Sequence, residues 1–283
     1  MTESAYRQTA RTTTTRHGER GSYDRDAVHA LLDEQLLCHL GYVVDGAPRV
    51  LPTLIVRVGE TIYLHGSTGA TPLLGARRSP DGLPVCVTVT AMDALVLARS
   101  QFNHSANYRS MVAHGTARLV TDAETKRAVL SALVEKVGAG RSAQSRPPTT
   151  AELAATAVLA LDLDEVSLKR RAAGAMDEPE DLDLPYWAGV VPLRVTAGFG
   201  IPEAGVTAPA PDYVPTPGPW FAPVTLRGTH VVLEPMRRED GEALRVALDD
   251  EEVYRHLTYT RPTDEAKMRV ITDLALASGT RAR

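Results

Sequence analysis

Between Leu37 and His65 the sequence reads as strands joined by turns too short for anything but antiparallel neighbours. Leu37–Val44 is one strand-like run, and Asp45-Gly46 is a tight turn. Residues 49–58 form a second run, Gly59-Glu60 a second turn, and residues 61–65 a third run. The pattern resumes at Pro84, where Val85, Val87 and Val89 alternate with Cys86, Thr88 and Thr90. Residues 94–98 and 110–120 continue it. Residues 157–163 and 166–169 give a last strand, bulged at Asp164-Glu165. Six or seven short strands at even turn spacing predict a small antiparallel β-barrel, because closure removes the unpaired edges of an open sheet. The expected class is mainly β with helices, α+β.

Helical periods interrupt the strands. Residues 24–35 predict a helix capped by Asp24 or Asp26, with Val28, Leu31, Leu32 and Gln35 on one face. Asp122 opens another, striped by Val129, Leu130, Leu133, Val134 and Val137. A short one covers residues 150–155. Pro72 suits the first turn of a helix fed by Gly66-Ser67-Thr68-Gly69. Such a loop offers free N–H groups to an anion.

A second donor cluster follows. Arg99, Ser100, His104, Ser105, Asn107, Tyr108, Arg109 and Ser110 lie within one connecting stretch. Guanidinium and hydroxyl donors at this density replace the water a phosphate loses. A polar turn with one surface arginine is the other reading, and both stand at this level. Lys169-Arg170-Arg171 ends a strand and can reach the same anion, while the acidic run 177–181 reads as a solvated face. Trp187 reads as packing, though an indole can also flank an aromatic ligand.

The net charge is −4 and no basic stripe is visible, so nucleic acid is not an expected partner. Cys38 and Cys86 sit in apolar runs and are expected to be buried thiols. No stretch reaches the roughly 18 apolar residues of a membrane span. Residues 9–20 are rich in threonine and arginine and lack the apolar core of a secretion signal, so 1–20 is expected to be a disordered lead-in and the location cytoplasmic. The barrel unit is expected over 21–203, a proline-rich linker over 204–223, and a separate strand–helix–helix segment over 224–283.

Several motifs resemble the flavin-nucleotide-binding proteins of the pyridoxamine 5′-phosphate oxidase-like group, which includes the 5-nitroimidazole resistance proteins. They are Gly21-Ser-Tyr-Asp-Arg25, Cys38-His-Leu-Gly-Tyr42, Tyr63-Leu-His-Gly-Ser67, Val85-Cys-Val-Thr-Val89, Leu97-Ala-Arg-Ser100, Asn107-Tyr-Arg-Ser110 and Trp187-Ala-Gly-Val190. The resemblance implies an FMN-binding split β-barrel, a homodimer with flavin at the interface, and an oxidoreductase acting on a small molecule. It implies Leu51, Pro52 and Thr53 along the flavin ring, and His65, Gly66 and Ser67 beside the ring and ribityl chain. His65 matches a ligand-adjacent histidine of the resistance proteins and is the candidate catalytic residue. Ala70 and Thr71 fall where the oxidase has a basic pair for the FMN phosphate. Arg99, Tyr108, Arg109 and Ser110, with Lys169, are the expected substitutes. No metal site is expected. A flavin carrier without turnover, or a barrel holding haem (ligand candidates His39, His65, His104 and His114) or a deazaflavin, are the alternatives. The segment from Thr225, opening Leu226-Arg-Gly-Thr-His-Val-Val-Leu-Glu-Pro-Met, resembles the start of a GCN5-related N-acetyltransferase, incomplete because no pyrophosphate-binding loop follows.

Overall fold

The structure, a computed structural model, describes residues 4–79, 81–216, 225–234 and scattered positions from 240 to 255. It divides into two units, Met1–Thr196 and Ala197–Arg283. In chain order the first unit holds β1 (Gly21–Ser22), α1 (Arg25–Glu34), β2 (Leu37–Val44), β3 (Ala47–Val58), β4 (Thr61–Ser67), α2 (Thr71–Arg78) and β5 (Leu83–Leu97). There follow β6 (Ser105–Leu119), α3 (Ala123–Val137), α4 (Thr150–Ala155), β7 (Thr156–Asp162), β8 (Glu165–Arg171) and β9 (Gly189–Pro192).

The strands close into a ring. β5 pairs with β6, β6 with β7, β7 with β4, β4 with β3, β3 with β2, and β2 with β5, all antiparallel. The mainly β, barrel-type fold expected from the alternation is what forms. The turn between β2 and β3 needs Asp45-Gly46, since both take positive φ, 50° and 74°. Only such a mirror-image turn matches the twist of the flanking strands. β5 and β6 are longer than the sequence reading gave. Each is a single 15-residue strand, and the irregularity between Met92 and Ala94 is a register shift rather than a break. The opposite correction applies at Asp164. There the chain leaves the ring, so that β7 pairs with β4 while β8 crosses to β6.

Alternation assigns every side chain to a face. Val85, Val87, Val89, Met111, Ala113, Val166 and Leu168 turn inward and are buried with Leu40, Ile55, Ile62 and Leu64. α1 plugs one end. Asp24 accepts from the Ala27 N–H at 2.7 Å, and Val28, Leu31 and Leu32 are completely buried, each fully buried leucine giving about 1.5–3 kcal/mol. α3 lies outside the ring and closes a second, smaller cluster of Val56, Val129, Leu133 and Val158. Lys136 at its end donates to the carbonyls of Leu32 (2.6 Å) and Ile55 (2.9 Å). Burial lowers that ammonium from its ordinary pKa. Cys38 is buried as expected and its thiol is pushed up to about 12 by desolvation, while Cys86 is half-buried; both are free thiols.

The lead-in expected to be disordered is instead bonded to the barrel. Tyr6 is 3% exposed within the core. Its hydroxyl meets His29 Nε2 at 3.0 Å and donates to Glu60 Oε2 at 3.1 Å, while the Arg25 guanidinium stacks 4.2 Å from its ring. Further along, the Tyr23 hydroxyl donates to the Thr12 carbonyl at 2.8 Å, and Thr12 is 2% exposed. The composition lacks an apolar period, so the docking rests on one aromatic anchor and a run of hydroxyl bonds.

In the second unit residues 197–216 form no helix or strand, in keeping with their proline content. β10 (Leu226–Arg227) pairs with β11 (Val232–Leu233), and Glu251–Tyr254 is a single helical turn. Of the strand–helix–helix segment expected over 224–283, residues 256–283 lie outside the described residues.

Replacing Tyr6 tests the clasp. Tyr6→Phe should cost about 1 kcal/mol for the lost hydroxyl bonds, and Tyr6→Ala about 3 kcal/mol or more, read as lower urea midpoints. An unchanged midpoint in Tyr6→Ala would mean that the N-terminal segment contributes nothing to the fold.

Candidate functional site

The ring is not zipped along its whole length. β3 and β4 pair from Val58↔Thr61 to Ile55↔Leu64 and then part. Beyond that point Thr53, Pro52 and Leu51 continue on β2, opposite Cys38, His39 and Leu40. His65, Gly66 and Ser67 continue on β7, opposite Val158, Ala157 and Thr156. The residues expected beside a flavin ring therefore form the two lips of one split. A Cβ on Gly66 would sit 2.9 Å from Leu73, so the close approach of α2 depends on that glycine.

His65 stands on the second lip. Burial lowers its pKa, which keeps the imidazole neutral at physiological pH. Its Nδ1 is buried without a hydrogen-bond partner. Ser67 accepts from the Gly69 N–H at 3.3 Å. Thr71 begins α2, and Ala70 before it supplies no side-chain cap.

The donor cluster between β5 and β6 does not converge. Arg109 pairs with Ala91, six residues and about 20 Å of strand before the end of β5 at Leu97, and Arg99 lies beyond that end. Arg99 is bonded to Asp177 through Nη1 at 3.0 Å, and Asp177 also accepts the N–H groups of Arg99 (2.8 Å) and Ser100 (3.3 Å). Asp177 was expected on a solvated face, yet its side chain is 1% exposed. Burial works against its charge, but Arg99 and the two N–H groups outweigh that and hold the carboxyl below its ordinary range. Arg109 donates to Asp93 at 2.7 Å and to Glu34 at 2.6 Å, and these bonds raise its pKa further. Each of the two arginines expected at the phosphate thus holds a carboxylate in this structure.

Period two separates Arg109 from its neighbours. Tyr108, Ser110, Val112 and His114 share the outer face of β6, and Ser110 lies opposite Lys169 of β8. The Ser110 hydroxyl shares a 2.9 Å bond with Thr90. Over this face lies the N-terminal segment, and together they enclose a groove of about 410 Å³. Tyr108, Ser110 and Lys169, all expected at the site, line it; so does the run Thr12 to Arg16, which sequence reading placed in a disordered tail. The signal for it was present, a threonine–arginine run, but hydroxyl-rich runs are also what disorder looks like. The residues on the lips of the split do not line this groove. Among the described residues no cluster of His, Cys, Asp and Glu could hold a metal ion.

A β-barrel split at one seam, with a desolvated histidine on one lip and a donor-rich groove on the outer wall, defines a small-ligand-binding barrel. The family model described as pyridoxamine 5′-phosphate oxidase matches residues 24–170. The chain belongs to that family. It is similar to the flavocytochrome Anf3 from Azotobacter vinelandii, at 34% identity and a TM-score of 0.67, over 72% of this chain and 94% of that one. It is also similar to the FAD and heme binding protein from Mycobacterium smegmatis, at 38% identity and a TM-score of 0.64, over 69% of this chain and 95% of that one. No curated protein matches the chain. No described helix is long and apolar enough to cross a membrane.

The Arg99–Asp177 pair predicts a pH signature. Asp177→Asn should lower the denaturation midpoint at pH 7. A depressed folded-state pKa stabilises above the unfolded value, so the advantage of the native chain should shrink as pH falls through the carboxylate range. A gap between the two proteins that stays constant from pH 7 to pH 3 would remove the assignment.

Proposed function

We propose that the chain is a flavin-binding redox protein that works as a homodimer. The observation that carries this is its similarity, across 94% and 95% of their chains, to two proteins described as a flavocytochrome and as an FAD and heme binding protein. The structure fits the group. The split offers two strand ends for a flat ring, and His65 there is neutral with an unpartnered Nδ1. A bound flavin supplies one- and two-electron chemistry. This chain's residues would bind and orient it, Leu51, Pro52 and Thr53 along the ring and His65 holding or passing a proton at its edge. A carrier without turnover uses the same residues.

The outer wall favours the dimer. Val50, Leu37 and Val43 are 67%, 56% and 58% exposed on adjoining strands, an apolar surface that a twin would cover. FMN follows from the family resemblance, and FAD is named for the Mycobacterium smegmatis protein; either is a flavin nucleotide.

Haem is a second reading, favoured by the same two neighbours. Ligation needs a neutral imidazole with a free nitrogen. His104 is a poor candidate, since its Nδ1 accepts the Ala98 N–H at 3.2 Å and the neutral ring then carries its proton on Nε2. His65 and His114 are better, because burial lowers both, helped at His114 by the charge of Arg11. His39, exposed on β2, is a third.

Freshly purified protein should show flavin absorbance, joined by a Soret band if haem is bound. NADH or NADPH should bleach the flavin bands and a nitroaromatic restore them if the protein turns over. A colourless protein that takes up neither FMN nor FAD would end the proposal, and a flavin that no reductant bleaches would leave a carrier.

A further inference from the structure

The groove beneath the N-terminal segment has a chemistry unlike the rest of a chain of net charge −4. Twelve residues line it and none is Asp or Glu. Arg11 is bonded to Glu165 at its border. Arg16 and Lys169 have no carboxylate within salt-bridge reach among the described residues, and Lys169 donates only to the Arg16 carbonyl, at 3.2 Å. The backbone N–H groups of Thr14, Thr15 and Arg16 have no acceptor among the described residues. Hydroxyls of Tyr108, Ser110, Ser167 and the threonine run complete the lining. Two unspent cations, several hydroxyls and free amides are the donor set of a phosphate site.

The groove, open to solvent, has room for more than one phosphate. A water's share of liquid volume is about 30 Å³, so a five-atom phosphate takes on the order of 100 Å³. The groove measures about 410 Å³. The start of α2 is the competing location, and it carries Ala70 and Thr71, neither of them a cation. We propose that the groove between residues 12–16 and the outer face of β6 and β8 is the subsite for the phosphate end of the flavin nucleotide, and that it accommodates the diphosphate of a dinucleotide. This rests on the flavin reading above. The N-terminal segment thereby becomes part of the binding site, held in place by Tyr6.

The test uses the full chain stripped of bound flavin, with Arg16→Glu and Lys169→Glu, and Arg16→Lys as the conservative control. Arg16 is exposed and Lys169 half-buried at the surface, and melting curves confirm folding. Fluorescence titration with riboflavin, FMN and FAD reads the flavin. Each charge reversal should weaken FAD and FMN about tenfold or more, FAD most, and leave riboflavin unchanged. Arg16→Lys should keep most of the affinity. Calorimetry with inorganic pyrophosphate reads the groove directly, with saturable binding that both reversals weaken. Tight FAD and FMN binding untouched by either reversal overturns the groove and leaves the flavin reading intact. Pyrophosphate binding with no affinity for any of the three flavins overturns the flavin reading and leaves a site for another phosphorylated ligand.

Discussion

The long β5–β6 hairpin settles where everything else goes. Fifteen residues on each side pair almost without interruption, and the strands twist enough to close the ring through β7 and β2. Once that ladder is fixed, alternation leaves each side chain one face. Val87, Val89, Met111 and Ala113 must fill the interior, and Tyr108, Ser110, Val112 and His114 must face out. A one-residue slip of β6 would exchange the two sets and bury Tyr108, Ser110 and His114 where Met111 and Ala113 now pack. Hydrophobic burial thus maintains the outer, ligand-facing pattern without any ligand being present.

The split follows from the same closure. Six strands in a ring leave little room for a ligand, so an opening must come from strands that part before their ends. β3 and β4 part after Ile55 and Leu64, and each then has one neighbour instead of two. The backbone groups so released lie beside Thr53 and Gly66, where a planar, hydrogen-bonding ring can meet them. Both α1 and α3 pack on β3 at this point, and Lys136 ties the Leu32 and Ile55 carbonyls together.

The ring of strands was legible because period two survives in Leu37–Val58 and Pro84–Thr90 whatever packs around it. The helix caps at Asp24 and Asp122 were legible for the same local reason. The fate of Arg99 and Arg109 was not. Their partners Asp177, Asp93 and Glu34 are brought in by pairing between distant stretches, and a list of donors cannot show that the acceptors are already supplied. The N-terminal segment failed for a different reason. Its order comes from Tyr6 and from hydroxyl bonds such as Thr13 to the Thr9 carbonyl, at 2.7 Å, neither of which leaves a periodic trace.

The arginine pairings and the docked N-terminal segment are connected by charge. A chain with 35 acidic and 31 basic residues has few cations to spare for a ligand. The arginines nearest the hairpin's ends are consumed in tying Asp177 to the β5–β6 connection and α1 to the barrel rim, where a carboxylate within hydrogen-bonding distance is worth more than a solvated phosphate. Positive potential can then survive only where acids are kept away. The outer face of β6 and β8 is such a place, because its acid, Glu165, is taken up by Arg11, because Tyr108, Ser110, His114, Ser167 and Lys169 are its other polar positions along the groove, and because the segment laid over it is built of threonine and arginine. Local composition that says little about fold is what keeps that surface receptive to an anion.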